Sequence, residues 1–188
     1  MLTWLKSRAE DRRTAIDLYG AIVAQARASE LFARLGVEDT PEGRTAVIIA
    51  VMSPVLERLA ADGAGAGRLA RYVTETFVTD VDDSLREMGV GDMGVPRKVK
   101  RAAQALGERA LAYRAAMRSA EPQAALAREL AASVPGLDSG SEGASALAQR
   151  MLSFKAALAT VPRSGLVAAI ASFSAAPDGP AKPSGSAS

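Results

Sequence analysis

Acidic side chains are concentrated in one stretch of the chain, where carboxylates could bind a metal ion or a basic partner. Between Glu75 and Asp92 the sequence contains six acids and one arginine, a local charge of −5. Asp80, Asp83 and Glu87 are spaced i, i+3, i+7, so on a helix their carboxylates share one face. Clustered carboxylate oxygens are the ligands that hard divalent cations prefer.

The same stretch has a second interpretation that needs no metal. Asp82 and Arg86 are four residues apart, a spacing that brings side chains on a helix into an ion pair. The stretch would then be a solvated face or a docking face, and the sequence favours this interpretation. A carboxylate-based divalent-metal protein, or an enzyme that uses residues 80–92, is the alternative.

A basic stretch follows directly. Arg97, Lys98, Lys100 and Arg101 are four cations within five residues, and residues 94–118 together carry a local charge of +6. Such a patch could bind phosphates or anionic lipid headgroups at a membrane surface. It lacks interleaved aromatic residues and any helix-turn-helix or RNA-binding signature, so we expect no recognition of nucleic-acid sequence. The simplest expectation is that the basic and acidic stretches pair with each other within the molecule.

Two missing residue types exclude most catalytic chemistry. The chain has 188 residues and a formal net charge of +2, with no cysteine and no histidine. Disulfides, thiolate nucleophiles, Cys/His zinc sites and histidine-based triads are therefore impossible. Any catalysis would depend on carboxylates, Lys, Arg, Tyr or a carboxylate-bound metal.

Composition and periodicity predict an all-α fold. Hydrophobic residues make up 48% of the chain and aromatic residues only 4%, and apolar residues recur at helical spacing without an alternating strand pattern. We predict a single-domain bundle of about six or seven helices. Thr40, Pro41 and Glu42 form a start signal, and the apolar run that follows predicts a central helix that Pro54 kinks or splits. The predicted helices cover residues 14–35, 41 to the glycine-rich turn at 62–67, 68–88, 96–117, 124–134, 144–160 and 164–173.

We divide the chain into an N-terminal segment (1–13), a helical domain (14–175) and a Pro/Gly/Ser-rich tail (176–188) that we expect to be disordered. The N-terminus lacks the apolar run of a signal peptide. No apolar stretch approaches the roughly 20 residues that a membrane-spanning helix needs.

Several motifs, all between residues 14 and 118, carry a family resemblance. They are Tyr19-x-x-Ile22-Val23-x-Gln25-Ala26-Arg27, Leu35-Gly36-Val37-x-Asp39-Thr40-x-x-Gly43-Arg44, Asp80-x-Asp82-x-Ser84-Leu85-Arg86-Glu87-Met88-Gly89-Val90-Gly91-Asp92, Val95-x-x-Lys98-x-Lys100 and Arg109-x-x-x-Tyr113. In these residues the chain resembles the ubiquinol–cytochrome c chaperone family, whose members help to assemble respiratory complex III.

The resemblance implies a helical, non-enzymatic assembly factor without a cofactor, whose client is newly made cytochrome b. It also implies a possible partner chaperone or ribosome, and a cytoplasmic location at the periphery of a bacterial inner membrane. The client surface implied by the family signature consists of Asp80, Asp82, Arg86, Glu87, Asp92, Lys98 and Lys100.

The sequence departs from the family pattern at several positions, and three of them bear on the identity of the client. Thr45 stands where an aromatic residue is usual, Val51 where a histidine is frequent, and Pro54 within a helix that is normally leucine-rich. These departures leave open whether the client is unchanged. Soft methionine side chains would provide adaptable client contacts or fill the core, and we expect most of them in the core. They are Met52, Met88, Met93, Met117 and Met151.

Overall fold

The computed structural model describes residues 2–62 and 64–173, which contain eight α-helices, one 3-10 turn and no strand. The helices are α1 (Leu2–Ala26), α2 (Ser29–Ala33), α3 (Pro41–Ala60), α4 (Ala64–Glu87), α5 (Val95–Met117), α6 (Pro122–Ala131), α7 (Glu142–Ala159) and α8 (Leu166–Ser172), with the 3-10 turn at Arg163–Gly165. The prediction of an all-α bundle is confirmed. The tail predicted at 176–188 lies outside the described residues.

The apolar helix α3 lies at the centre of the bundle, as its sequence predicts, and contacts α1, α4, α5 and α7. It begins at the predicted signal, where the Thr40 side chain accepts a 3.1 Å hydrogen bond from the Gly43 N–H. The helix continues through Pro54 without splitting. Next to the proline, the buried Ser53 hydroxyl donates a 2.7 Å hydrogen bond to the Ile49 carbonyl, so its polar atom is satisfied.

The bounds predicted for the first helix, 14–35, are wrong. Residues 2–13 form the first turns of α1, and the helix ends at Ala26, before a separate short helix α2. Ala28 interrupts the helical path with an extended ψ of 121°. Helix α4 also begins earlier than predicted, at Ala64 within the glycine-rich segment.

Partly buried ion pairs tie the first turns of α1 to distant parts of the chain. Asp11 accepts hydrogen bonds of 2.6 Å from both Arg68 on α4 and Arg163 in the 3-10 turn. A second carboxylate, Glu57 on α3, contacts Arg118 and Lys155. These carboxylates join segments that lie far apart in the sequence.

The α2–α3 loop and the α6–α7 loop fit closely against each other. The Glu38 N–H donates a 3.0 Å hydrogen bond to the Pro135 carbonyl. Gly143, at the start of α7, lies so close to the α2–α3 loop that a Cβ there would be 1.9 Å from the Leu35 carbonyl oxygen. This contact fixes the α6–α7 pair against the centre of the bundle. Among the described residues, no helix is long and apolar enough to cross a membrane.

Candidate binding surface

The predicted surface residues lie on the end of α4, the turn after it and the first turns of α5, a region that we call the α4–α5 corner (residues 80–101). Helix α4 ends in a Schellman motif around Gly89, which has a φ of 74°. The Gly89 N–H donates to the Arg86 carbonyl at 2.9 Å, and the Val90 N–H donates to the Leu85 carbonyl at 3.0 Å. Glycine is suited to this position because it adopts positive φ without steric cost.

Arg86 links the turn to the helix. Its Nε donates to Asp82 Oδ2 at 2.7 Å, and its Nη1 donates to Asp92 Oδ1 at 3.2 Å. The pKa of Arg86 lies above its usual value. The hydrogen bond to Asp82 is the main cause, and the nearby charge of Asp92 contributes less. The predicted i, i+4 pair is therefore present, and it also holds the exposed Asp92 near α4.

Asp80 differs from the other acids of the stretch because its half-buried carboxylate contacts another helix. Its Oδ2 accepts a 2.7 Å hydrogen bond from the hydroxyl of Tyr19 on α1. Burial, and then the hydrogen bond to Asp80, raise the pKa of Tyr19 far above its usual value. Asp80 thus joins α4 to α1, whereas Asp83 and Glu87 are exposed.

Two methionines in the α4–α5 corner are exposed, Met88 by 52% and Met93 by 97%. The other three methionines considered above, Met52, Met117 and Met151, belong to the core. The expectation that most methionines are buried therefore holds for three of the five. Met88 follows the buried Leu85 by three residues, so the apolar spacing predicted it on the buried face of this helix; it lies just after α4 ends and is exposed there.

The basic stretch at the start of α5 is also exposed, and the predicted pairing between the basic and acidic stretches is wrong. Within residues 2–62 and 64–173, none of the ion pairs joins Arg97, Lys98, Lys100 or Arg101 to an acid of the stretch from Glu75 to Asp92. The acids are instead partly neutralised within their own helix and turn. The corner therefore presents acidic and basic areas side by side.

The geometry does not support the metal-site alternative. In the part of the chain that the structure describes, no group of three or more acidic side chains is arranged to hold a metal ion. Asp80 is turned toward Tyr19, and Asp82 and Asp92 are bound to Arg86. The spacing that suggested a shared carboxylate face is real along α4, but the side chains do not converge.

Known proteins resemble this chain over most of its length. Residues 33–173 match the family described as Ubiquinol-cytochrome C chaperone. The crystal structure of the Cbp3 homolog from Brucella abortus aligns with a TM-score of 0.75 at 30% sequence identity, over 93% of this chain and 96% of that one. No curated protein sequence matches. The family match continues beyond the motifs at 14–118 to the end of the described residues, whereas the motif on α1 precedes it.

Proposed function

The chain belongs to the ubiquinol–cytochrome C chaperone family, and we propose that it supports the assembly of ubiquinol–cytochrome c reductase (complex III) by binding newly made cytochrome b. We assign this role to the helical domain at 14–175 and the client contact to the α4–α5 corner. The observation that carries the assignment is the exposure of acids and two methionines on a turn that Arg86 and Gly89 hold in place.

The chemistry of a membrane-protein client suits this surface. Cytoplasmic loops of membrane proteins are enriched in Lys and Arg, so an acidic surface attracts them and favours the correct orientation. The flexible thioethers of Met88 and Met93 would contact apolar side chains that are not yet buried in the bilayer. Neither type of contact requires a catalytic group, in keeping with a chaperone that is not an enzyme.

The seven predicted residues take different parts in this proposal. Asp82, Glu87 and Asp92 provide the charge that the client meets. Arg86 and Asp80 position that charge, the first through its two carboxylate contacts and the second through Tyr19.

The two basic members of the set, Lys98 and Lys100, border the acids on α5. They would repel a cationic segment that binds out of register. We also propose a location at the cytoplasmic side of the inner membrane, where client loops emerge, with a partner chaperone or ribosome as further contacts suggested by the family.

A crosslinking pull-down from membranes tests the client and the surface together. The variant Glu87→Lys/Asp92→Lys reverses two exposed charges of the corner. The matched control, Asp17→Lys/Asp138→Lys, makes the same change in net charge at exposed positions on α1 and in the α6–α7 loop. We expect cytochrome b with the wild type and the control, and about tenfold less with the corner variant.

The outcomes separate the client from the surface. Equal recovery of cytochrome b with all three proteins would leave the role in place and exclude the acidic corner as the client surface. The role itself would be wrong if cytochrome b were never recovered and a deletion strain still assembled complex III normally.

A further inference from the structure

The outer face of α5 carries a concentrated positive charge. At 100° per residue, Arg97, Lys98, Lys100 and Arg101 lie within an arc of about 160°. All four side chains are exposed, and within the described ranges none has an ion-pair partner. Helix α5 packs against α3, α4 and α6 through its opposite side, which includes the buried Leu106. The charged face is therefore free to meet a partner.

Exposed apolar side chains lie at both ends of this face. Met93, 97% exposed, directly precedes the first turn, and Leu111 is 65% exposed. Leu111 follows Arg97 by two heptads, so both lie on one stripe, about 21 Å apart at 1.5 Å per residue. Glu108 is an exposed acid on the same stripe.

We propose that this outer face of α5, with Met93 and Leu111, binds the surface of an anionic lipid bilayer. Clustered Lys and Arg side chains attract anionic headgroups, and neighbouring apolar side chains enter the interfacial region. The proposal rests on the proposed function, because a chaperone for a membrane protein meets its client at a bilayer. It gives Lys98 and Lys100 a lipid partner, while the acids of the α4–α5 corner face client loops that emerge beside it.

The chemistry of the face favours lipid over nucleic acid. Proteins that bind single-stranded nucleic acid combine cations with aromatic side chains on which bases stack. Residues 86–112 contain no aromatic side chain. Isolated exposed Met and Leu side chains next to cations do not contribute to phosphate binding, but they do contribute to insertion at a bilayer interface.

Vesicle flotation of the purified full-length protein tests the proposal. The vesicles are phosphatidylcholine alone, or phosphatidylcholine with phosphatidylglycerol at about 70:30, in low and high salt. The variant Arg97→Glu/Lys100→Glu/Arg101→Glu is compared with Lys6→Glu/Arg13→Glu/Arg27→Glu, which makes the same charge change at exposed positions on α1 and directly after it. A third variant, Met93→Ser/Leu111→Ser, keeps every charge.

We expect the wild type and the α1 variant to float with phosphatidylglycerol vesicles in low salt and not with phosphatidylcholine alone. The α5 charge variant should lose roughly 100-fold in partitioning, and the Met93/Leu111 variant should bind less and dissociate at lower salt.

The proposal is overturned if the wild type does not bind anionic vesicles, or if both charge variants lose binding equally. It is also overturned if α5 reversal abolishes binding to a single-stranded RNA oligomer while the wild type shows no vesicle binding. Because this assay contains no cytochrome b, vesicle binding without client crosslinking would count against the proposed function alone.

Discussion

The Tyr19 hydroxyl donates a 2.7 Å hydrogen bond to Asp80 Oδ2, joining α1 to α4 across 61 residues of sequence. The Tyr19 ring also packs edge-on against Phe77, with centroids 6.4 Å apart. Tyr19 and Asp80 each open one of the motifs that carry the family resemblance. Part of the family signature is therefore a structural contact between helices, which positions the acids that follow Asp80 on α4.

Replacing Tyr19 with phenylalanine should lower the free energy of unfolding by about 1.5–3 kcal/mol, because it keeps the ring but leaves the Asp80 carboxylate without its donor. Urea denaturation followed by circular dichroism measures the change. Tyr72→Phe is the matched control: Tyr72 is also buried, but no hydrogen bond of its hydroxyl is seen in the described residues. An equal loss in both variants would mean that the hydrogen bond to Asp80 contributes nothing specific.

Alkaline pH should destabilise the wild type more than Tyr19→Phe. Burial and the Asp80 contact raise the pKa of Tyr19 in the folded state above its usual 10.0. Above that pH the unfolded chain loses the Tyr19 proton while the folded chain keeps it. The contribution of the Tyr19 proton to the free energy of unfolding is therefore complete below about pH 10. Above that pH it is lost at up to about 1.4 kcal/mol per pH unit.

The comparison is made by urea denaturation between pH 8 and pH 11. Tyr113, whose pKa is also raised by burial, is present in both proteins and contributes equally. If the free energy of unfolding changed with pH in the same way for the wild type and Tyr19→Phe across this range, the prediction would be contradicted.

Asp11→Ala should destabilise the protein by about 2–4 kcal/mol, because two arginines at the α1–α4–α8 junction then lose their common acceptor. The control is Glu30→Ala, which removes an exposed i, i+4 pair with Arg34 and should cost only about 0.3 kcal/mol. Thermal unfolding of both variants is the measurement. Similar melting temperatures for the two would show that the Asp11 bridges are as weak as surface pairs.

The sequence predicted those features of the fold that depend on neighbours in the chain. Thr40 and Pro41 start α3 as expected, and the apolar run after them is central, because capping and hydrophobic patterning act within a few residues. The bounds of α1 could not be predicted from such local signals. In the first turns of this helix Asp11 meets Arg68 and Arg163, which lie 57 and 152 residues away.

In the candidate site, too, the sequence predicted the local contacts and not those between distant residues. The sequence predicted the Asp82–Arg86 pair, since its spacing is local. The contact of Asp80 with Tyr19 joins it to another helix, and no local sequence pattern predicts such a contact. Pairing between the acidic and basic stretches was wrong because nearness in sequence does not make two helix faces meet: α4 and α5 touch, but their charged sides point outward.

Gln25→Leu should loosen α8. The Gln25 side-chain amide donates to the carbonyls of Ile170 and Phe173 at 2.9 and 3.0 Å and accepts from Arg150 at 3.0 Å, so it acts as a cap supplied by α1. We expect amides of α8 to exchange hydrogen roughly tenfold faster, while α3 amides keep the wild-type rate. Gln149→Leu, at an exposed position on α7, is the control and should leave α8 unchanged.

Gly143→Ala should be among the most damaging single changes in the protein. Its Cβ would lie 1.9 Å from the Leu35 carbonyl oxygen, so the backbone of the α2–α3 loop or of the first turn of α7 has to move and the contact between them opens. We expect a loss of more than about 3 kcal/mol or failure to fold. Gly107→Ala is the matched control, because a Cβ there meets nothing within 4 Å and α5 gains helix propensity. That variant should be more stable by about 0.5–1 kcal/mol. A stable, cooperatively unfolding Gly143→Ala protein would contradict the close approach of α7 to the α2–α3 loop.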